Sequence, residues 1–190
     1  LGMRDMAAAW AKEGKTRAAK INELCWDDKQ GFYFEYDHVR KTRLPHWSLL
    51  GYWMMWAGVA SKAQAKRMVA NLAKFELPFG LPVTAEEYAS PHKEWKRLQW
   101  NHPSSWAPLQ IIAVQALERY GFTAEAKRVA FPFLWNEVVT WEQTGRLWER
   151  YDAQKGGPDR KKERSESYEL NGWTAAAAVL LGRTLFPDAA

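Results

Sequence analysis

The chain has 190 residues, of which 47% are hydrophobic, and a formal net charge of +5; this length and composition predict one domain with a sizeable core. Its apolar runs are shorter than the roughly 20 residues that span a bilayer, and its Lys and Arg residues are too dispersed to predict a nucleic-acid surface. The single cysteine, Cys25, excludes an intrachain disulfide and a cysteine-rich metal site.

The start of the chain is typical of the middle of a protein. Residue 1 is Leu rather than Met, and the first 20 residues have the pattern of an amphipathic helix without the charged and apolar segments of a signal peptide. We therefore expect a fragment of a longer protein. The sequence leaves open whether that protein is cytoplasmic or periplasmic.

Apolar residues recur at three- and four-residue steps in six segments, which predicts six helices. In chain order, these segments cover residues 2–24, 47–59, 62–75, 105–120, 124–144 and 172–185. Ser61 and Ser104 are the predicted N-caps of the third and fourth helices, and Gly145 is the predicted end of the fifth. Residues 32–36 fit a short strand that returns near Arg43.

Helices joined alternately by short and long connections predict an all-α array of helical hairpins within a single domain over residues 1–190. The sequence has no fixed repeat of 34 or 40 residues, which favours a closed α/α toroid over an open solenoid. In a toroid the long loops gather on one face. The connection over residues 76–103 and the polar segment 152–170 are therefore candidate parts of a functional site.

Tryptophan is the compositional outlier, with 12 in the chain. Two of them lie in QWNHPSSWAP, residues 99–108, beside an amide pair. Sugar-binding sites use flat aromatic faces for the apolar faces of sugar rings and amides for the hydroxyls. The candidate sugar-binding residues here are Gln99, Trp100, Asn101 and Trp106. The alternative is that both indoles only anchor this loop to the core.

A candidate catalytic carboxylate follows the predicted helix end at Gly145. Most glycosidases use two carboxyl groups, one to protonate the leaving oxygen and one to act on the opposite face of the sugar. In WERYD, residues 148–152, Glu149 lies between an indole and a guanidinium, which can tune and orient a carboxylate. A simple Glu–Arg surface ion pair is the alternative. The four histidines lack the spacing of metal ligands, and the sequence predicts no metal and no cofactor.

Over nearly its whole length, the chain resembles family 37 glycoside hydrolases, the trehalases, and more loosely family 63. The trehalase signature Gln-Trp-Asp-x-Pro-x-(Gly/Ala/Val)-Trp-(Pro/Ala/Ser)-Pro is matched at six of its eight specified positions by residues 99–108. Asn101 replaces the Asp of this signature, and Ser105 replaces its small apolar residue. Residues 24–37, LCWDDKQGFYFEYD, resemble a second family segment.

The resemblance implies roles for residues near the end of the chain. Trehalases place the catalytic base in a Glu-Lys-Tyr-Asp-like segment after a Thr-Gly turn, which assigns the general base to Glu149 and a place in the substrate site to Tyr151. Gly172-Trp173-Thr174 matches a family segment that adds Trp173. The glycine-rich loop of the family is replaced here by KKERSESYELN, in which Glu166 or Glu163 would supply the loop carboxylate.

The family's general acid, an Asp in a Gly-Trp-Asp-x-Ser-x-Arg motif, has no match in this chain. The resemblance therefore implies the second half of an (α/α)6 barrel, which needs its N-terminal half as a partner and is inactive alone. The implied reaction is inverting hydrolysis of α,α-trehalose. Two alternatives stay open: a family 63-like hydrolase of a glucoside or of mannosylglycerate, and a non-catalytic helical module that binds carbohydrate.

Overall fold

The computed structural model describes residues 3–89, 99–159 and 167–189. The α-helices in these ranges are α1 (Arg4–Cys25), α2 (Trp53–Trp56), α3 (Lys62–Ala70), α4 (Ala107–Arg119), α5 (Thr123–Thr144) and α6 (Gly172–Leu185). The short strands are β1 (Trp26–Asp27), β2 (Phe32–Tyr33), β3 (Tyr36–Asp37), β4 (Thr42–Arg43), β5 (Ser104–Trp106) and β6 (Arg150–Asp152). Single turns of 3-10 helix cover Leu49–Tyr52, Leu72–Phe75 and Pro187–Ala189.

Local signals in the sequence fix several helix ends. Ser61 caps α3: its side chain accepts from the backbone N–H of Gln64, whose side chain accepts in turn from the backbone N–H of Ser61. Gly145 ends α5 with φ of 66°, a left-handed conformation that glycine adopts without strain. The predicted bounds of α6 are confirmed.

Three predicted helices differ from the structure. The segment 62–75 is α-helical only to Ala70 and continues as the 3-10 turn Leu72–Phe75. The segment 47–59 forms a 3-10 turn followed by the short helix α2, which stops before Gly58 with φ of 73°. Helix α4 starts at Ala107 rather than at residue 105, and Ser104 is not its N-cap. The reason is tertiary, because β5 uses the backbone of residues 104–106 to pair with β6, a strand that lies more than 40 residues away in the chain.

The predicted strand over residues 32–36 is divided between two hairpins. Strand β2 pairs antiparallel with β1, and β3 pairs antiparallel with β4. Both hairpins follow α1 directly. They extend the connection between α1 and the first 3-10 turn without forming a larger sheet.

The helices α2, α4 and α6 form one row, and α5 packs across α4 and α6. The core lies between these helices and includes Tyr52, Met55, Leu109, Leu117 and Phe133, each at most 2% exposed. Helix α1 has no buried residue. None of the described helices combines the length and the apolar character needed to cross a membrane.

Backbone hydrogen bonds tie the loops that precede the row of helices. The N–H of Leu49 donates to the carbonyl of Val83 at 2.8 Å, and the N–H of Val83 donates to the carbonyl of Ser104 at 2.9 Å. The N–H of Ala153 donates to the carbonyl of Pro103 at 2.9 Å. Segments from four distant parts of the chain are therefore joined by these hydrogen bonds, as expected for loops that gather on one face of a toroid.

Candidate active site

The two motifs singled out in the sequence form one structural unit. Strands β5 and β6 pair antiparallel, with Trp106 opposite Arg150 and Ser104 opposite Asp152. This pairing places the loop that contains Trp100 beside the segment that contains Glu149. No feature of the sequence predicted the pairing itself, because strands of three residues carry too little pattern to be recognised.

Three indoles pack together on this unit. The rings of Trp100 and Trp106 are stacked, with centroids 4.0 Å apart and planes 13° apart. Trp173 meets Trp106 edge-on at 5.8 Å. Trp106 is only 2% exposed, whereas Trp100 is 44% exposed. Trp106 is therefore buried, as the anchor that the sequence left open as an alternative would be, whereas Trp100 keeps part of its ring exposed.

Arg150 connects the indoles to the candidate base. Its side chain is 2% exposed, its Nη1 lies 2.8 Å from Oε2 of Glu149, and its Nε lies 3.4 Å from Oδ2 of Asp159. The guanidinium carbon lies 5.5 Å from the ring centroid of Trp106, within the range of a cation–π contact. A buried arginine is not part of a surface ion pair. Glu149 does pair with Arg150, as the alternative predicted, but the arginine of the pair is buried rather than at the surface.

The backbone of the candidate base is held from two sides. The N–H of Glu149 donates to the carbonyl of Tyr168 at 2.7 Å, and its carbonyl accepts from Nε1 of Trp173 at 2.9 Å. The hydroxyl of Thr174 donates to the carbonyl of Trp148 at 2.7 Å. The side chain of Glu149 is 21% exposed. A carboxylate that is held rigidly and still reached by water meets the geometric needs of a general base.

The structure places the other predicted substrate residues differently. Asn101 is 1% exposed: its Oδ1 accepts from the hydroxyl of Thr84 at 2.8 Å, and its Nδ2 donates to the carbonyl of Tyr88 at 2.7 Å. Its amide therefore holds the loop together. Tyr151 is fully buried, and its hydroxyl accepts from the N–H of Trp148 at 3.2 Å, so it supports the strand from behind.

For two further predicted substrate residues, Gln99 and Glu166, the structure gives few or no contacts. Gln99 is half-buried at the edge of the described ranges. Glu166, like Glu163, lies outside the described residues, so its predicted role as a loop carboxylate stays a prediction. Among the described residues, no three His, Cys, Asp or Glu side chains are grouped as a metal site.

Sequence analysis missed two buried carboxyl groups. Asp159, 1% exposed, pairs with Arg150 and accepts a hydrogen bond from the hydroxyl of Ser104. Glu137 of α5 is also 1% exposed, and neither of its carboxyl oxygens has a hydrogen-bond partner in the part of the chain that is described. Burial raises the pKa of Glu137 to about 9. A Gly-Gly-Pro turn before Asp159 is typical of an exposed loop, so the sequence held no signal for its burial.

In this arrangement, a buried arginine connects a partly exposed carboxylate to the stacked indoles. Comparison with known proteins shows which family has a similar sequence. The sequence model of the trehalase family matches residues 1–183. The chain belongs to the trehalase family. It is 32% identical to the cytosolic neutral trehalase of Saccharomyces cerevisiae over 190 residues and 35% identical to that of Pyricularia oryzae over 155 residues. The alignments cover 92% and 80% of this chain.

Solved structures confirm the α/α toroid fold of this trehalase-family chain. Neutral trehalase Nth1 from Saccharomyces cerevisiae superposes with a TM-score of 0.76 at 30% identity over 94% of the chain. A family 63 mannosylglycerate hydrolase from Thermus thermophilus superposes with a TM-score of 0.63 at 24% identity over 85% of the chain, which shows a shared fold. The chain spans 25% and 21% of the two relatives in sequence and 31% of the Nth1 structure.

Proposed function

We propose that this chain supplies the general base and one sugar-binding wall of an inverting α,α-trehalase. Glu149 would take a proton from the water that attacks the anomeric carbon, and the Trp100 ring would carry a sugar. The general acid would come from the N-terminal half of the barrel, since the chain spans about a quarter of the length of its relatives. The chain alone would then be inactive.

The observation that carries this proposal is the continuous contact from the stacked indoles to Glu149. The Trp100 ring stacks on Trp106, Trp106 contacts the guanidinium of Arg150, and Arg150 pairs with Glu149. The exposed indole and the candidate base therefore belong to one connected unit of the structure. An inverting pair holds its carboxyl groups roughly 6.5–9.5 Å apart to admit that water.

Replacement of Glu149 in the full-length protein tests the role of this residue. Glu149→Gln keeps the size and the hydrogen bond to Arg150 but cannot accept the proton, so turnover of α,α-trehalose should fall by several orders of magnitude with an unchanged circular dichroism spectrum. Glu142→Gln is the matched control, because Glu142 is exposed on α5. Near-normal turnover of the Glu149→Gln protein would reject the role.

The stereochemistry of the reaction gives an independent test. Inversion releases one β-glucose and one α-glucose from each α,α-trehalose, so proton NMR of the first products should show both anomers in equal amounts. Release of α-glucose alone would contradict inversion.

The open alternatives predict other outcomes. A family 63-like enzyme would hydrolyse mannosylglycerate or a glucosylated oligosaccharide in preference to trehalose, and a binding module would bind trehalose without cleaving it. Side-by-side assays on these substrates separate the three.

The names of the cytosolic relatives also favour the cytoplasm over the periplasm as the location of this protein.

A further inference from the structure

Helix α5 carries an exposed row of large apolar side chains. Phe131, Trp135, Val138 and Trp141 are 52%, 51%, 38% and 55% exposed. The rings of Phe131 and Trp135 are stacked, with centroids 6.2 Å apart and planes 10° apart, so they form one flat apolar surface. None of these four side chains belongs to the candidate active site described above.

This row lies on the side of α5 that faces away from the core. The buried residues of the helix include Val129, Phe133 and Thr140, and the helix packs against α4 and α6. Because an α-helix has about 3.6 residues in a turn, Phe131 and Trp135 lie on the side of α5 opposite Phe133. The described part of the chain therefore leaves the row uncovered.

The size of the row is typical of a protein interface. A large aromatic side chain covers about 150–250 Å² when it is buried. Three half-exposed aromatic rings and a valine therefore leave about 300–400 Å² of apolar surface on one helix face. A patch of this area is comparable to the largest one on a typical monomer, and such patches often mark sites where another protein binds.

Two oppositely charged residues flank the apolar row. Lys127 lies one turn before Phe131, Glu142 lies one turn after Val138, and both charged side chains are exposed. The steps from 127 through 131, 135 and 138 to 142 are three or four residues long, which places all five positions on one face. Lys127 and Glu142 are about 22 Å apart along the helix axis, too far to pair within one copy of α5.

The order of these residues along α5 is complementary to itself in the antiparallel direction. Phe131 and Val138 lie equally far from the midpoint of residues 134–135, and so do Lys127 and Glu142. A two-fold axis through that midpoint places Phe131 opposite Val138 of a second copy. The same axis places Lys127 opposite the Glu142 of that copy. In a two-fold dimer each such contact is made twice.

We propose that the exposed face of α5 is a dimer interface, on which a second copy of this protein packs its own α5 in the antiparallel direction. The apolar row forms the centre of the interface, and the pairs of Lys127 with Glu142 fix its direction and register. One pair of helices buries less than the roughly 1,200 Å² of a standard interface, so the dimer is weak and depends on protein concentration. This inference goes beyond the proposed function and does not depend on it.

Sedimentation velocity of the full-length protein tests the dimer. The wild type should change from monomer to dimer between about 1 and 100 µM, the range expected for a weak interface. Trp135→Asp places a charge at the centre of the interface and should raise the dissociation constant at least about 30-fold, with an unchanged circular dichroism spectrum. A wild type that stays monomeric throughout this range would overturn the inference. A Trp135→Asp protein that dimerises as tightly as the wild type would also overturn it.

Exchange of the two charges tests the antiparallel pairing. Lys127→Glu and Glu142→Lys should each raise the dissociation constant about 10-fold at low salt, because each places like charges opposite one another twice in the dimer. The double variant restores both pairs, so its dissociation constant should return to within about twofold of the wild-type value. Lys66→Glu is the matched control, since Lys66 is exposed on α3, and it should leave the dissociation constant unchanged. A double variant that dimerises no more tightly than the single variants would overturn the proposed interface.

Discussion

The two walls beside Trp100 use their polar side chains in opposite ways. On the side of β6, Arg150 pairs with both Glu149 and Asp159 although it is buried. On the other side, Glu35 and His46 line a cavity of about 490 Å³ that Trp100 also borders. Groups that are paired inside the protein hold its structure in place, whereas polar groups without a partner contribute little to stability. Substitutions of the two kinds of group should therefore differ in their effect on stability.

Arg150→Met should have the largest effect on stability. It would remove the guanidinium between two carboxylates, one of them fully buried, and an uncompensated buried charge typically costs about 3–5 kcal/mol of unfolding free energy. Urea unfolding measures the loss. Arg146→Met is the matched control, since Arg146 and its partner Glu169 are both more than half exposed and such pairs contribute about 0–1 kcal/mol. Equal losses of unfolding free energy in the two variants would show that the buried Arg150 contributes no more stability than the exposed Arg146.

Glu137→Gln tests the buried carboxyl of α5, which has no hydrogen-bond partner among the described residues. Because its folded pKa of about 9 lies above its unfolded value, the wild-type protein loses stability as the pH rises from about 4.5 to 9, by about 1.4 kcal/mol for each pH unit. The glutamine variant lacks this loss. The two proteins should therefore be similarly stable at pH 5, and the variant should be the more stable at pH 8 in urea unfolding. Parallel pH profiles would contradict the neutral, buried state of Glu137.

Asn101→Asp should have a moderate effect. The variant restores the Asp of the family signature, but the Nδ2 donor to the carbonyl of Tyr88 is lost and two oxygens face each other instead. The expected cost is about 1–3 kcal/mol of unfolding free energy. Asn22→Asp offers a comparison, because the amide of Asn22 likewise donates to a backbone carbonyl but in a half-buried position. An unchanged or more stable Asn101→Asp protein would show that the loop rearranges.

Glu35→Gln should have the smallest effect on stability. The Glu35 carboxylate is exposed and has no side-chain partner among the described residues, so the change should lie within about 0.5 kcal/mol. A larger loss of unfolding free energy, measured with urea, would show that Glu35 stabilises the structure, as Arg150 is expected to do.

The sequence predicted several ends of helices. The N-cap at Ser61, the helix end at Gly145 and the bounds of α6 all depend on interactions between residues a few positions apart, and they were predicted correctly. The start of α4 was predicted wrongly because its first turn is replaced by strand pairing with β6. Pairing over that distance leaves no periodic signal within either three-residue strand.

The sequence also did not predict which polar residues are buried. The side-chain amide of Gln110 in α4 accepts from the N–H of Leu81 at 3.0 Å and donates to its carbonyl at 2.7 Å, which fixes a loop 29 positions away. In the sequence, Gln110 is one polar residue in an apolar helix. Its partner can be known only once the loop is packed against it, and the same holds for Asp159 and Arg150.

The sequence by itself determined the helical hairpins, the family and the two segments that carry the candidate chemistry, because these depend on residue type and local spacing. Only the tertiary structure decided that Trp106 is buried while Trp100 is partly exposed, that Arg150 is buried between two carboxylates, and that Glu35 and His46 share a cavity. Burial and pairing are properties of surfaces brought together from distant parts of the chain. They are settled by packing, and packing is not encoded in any one segment.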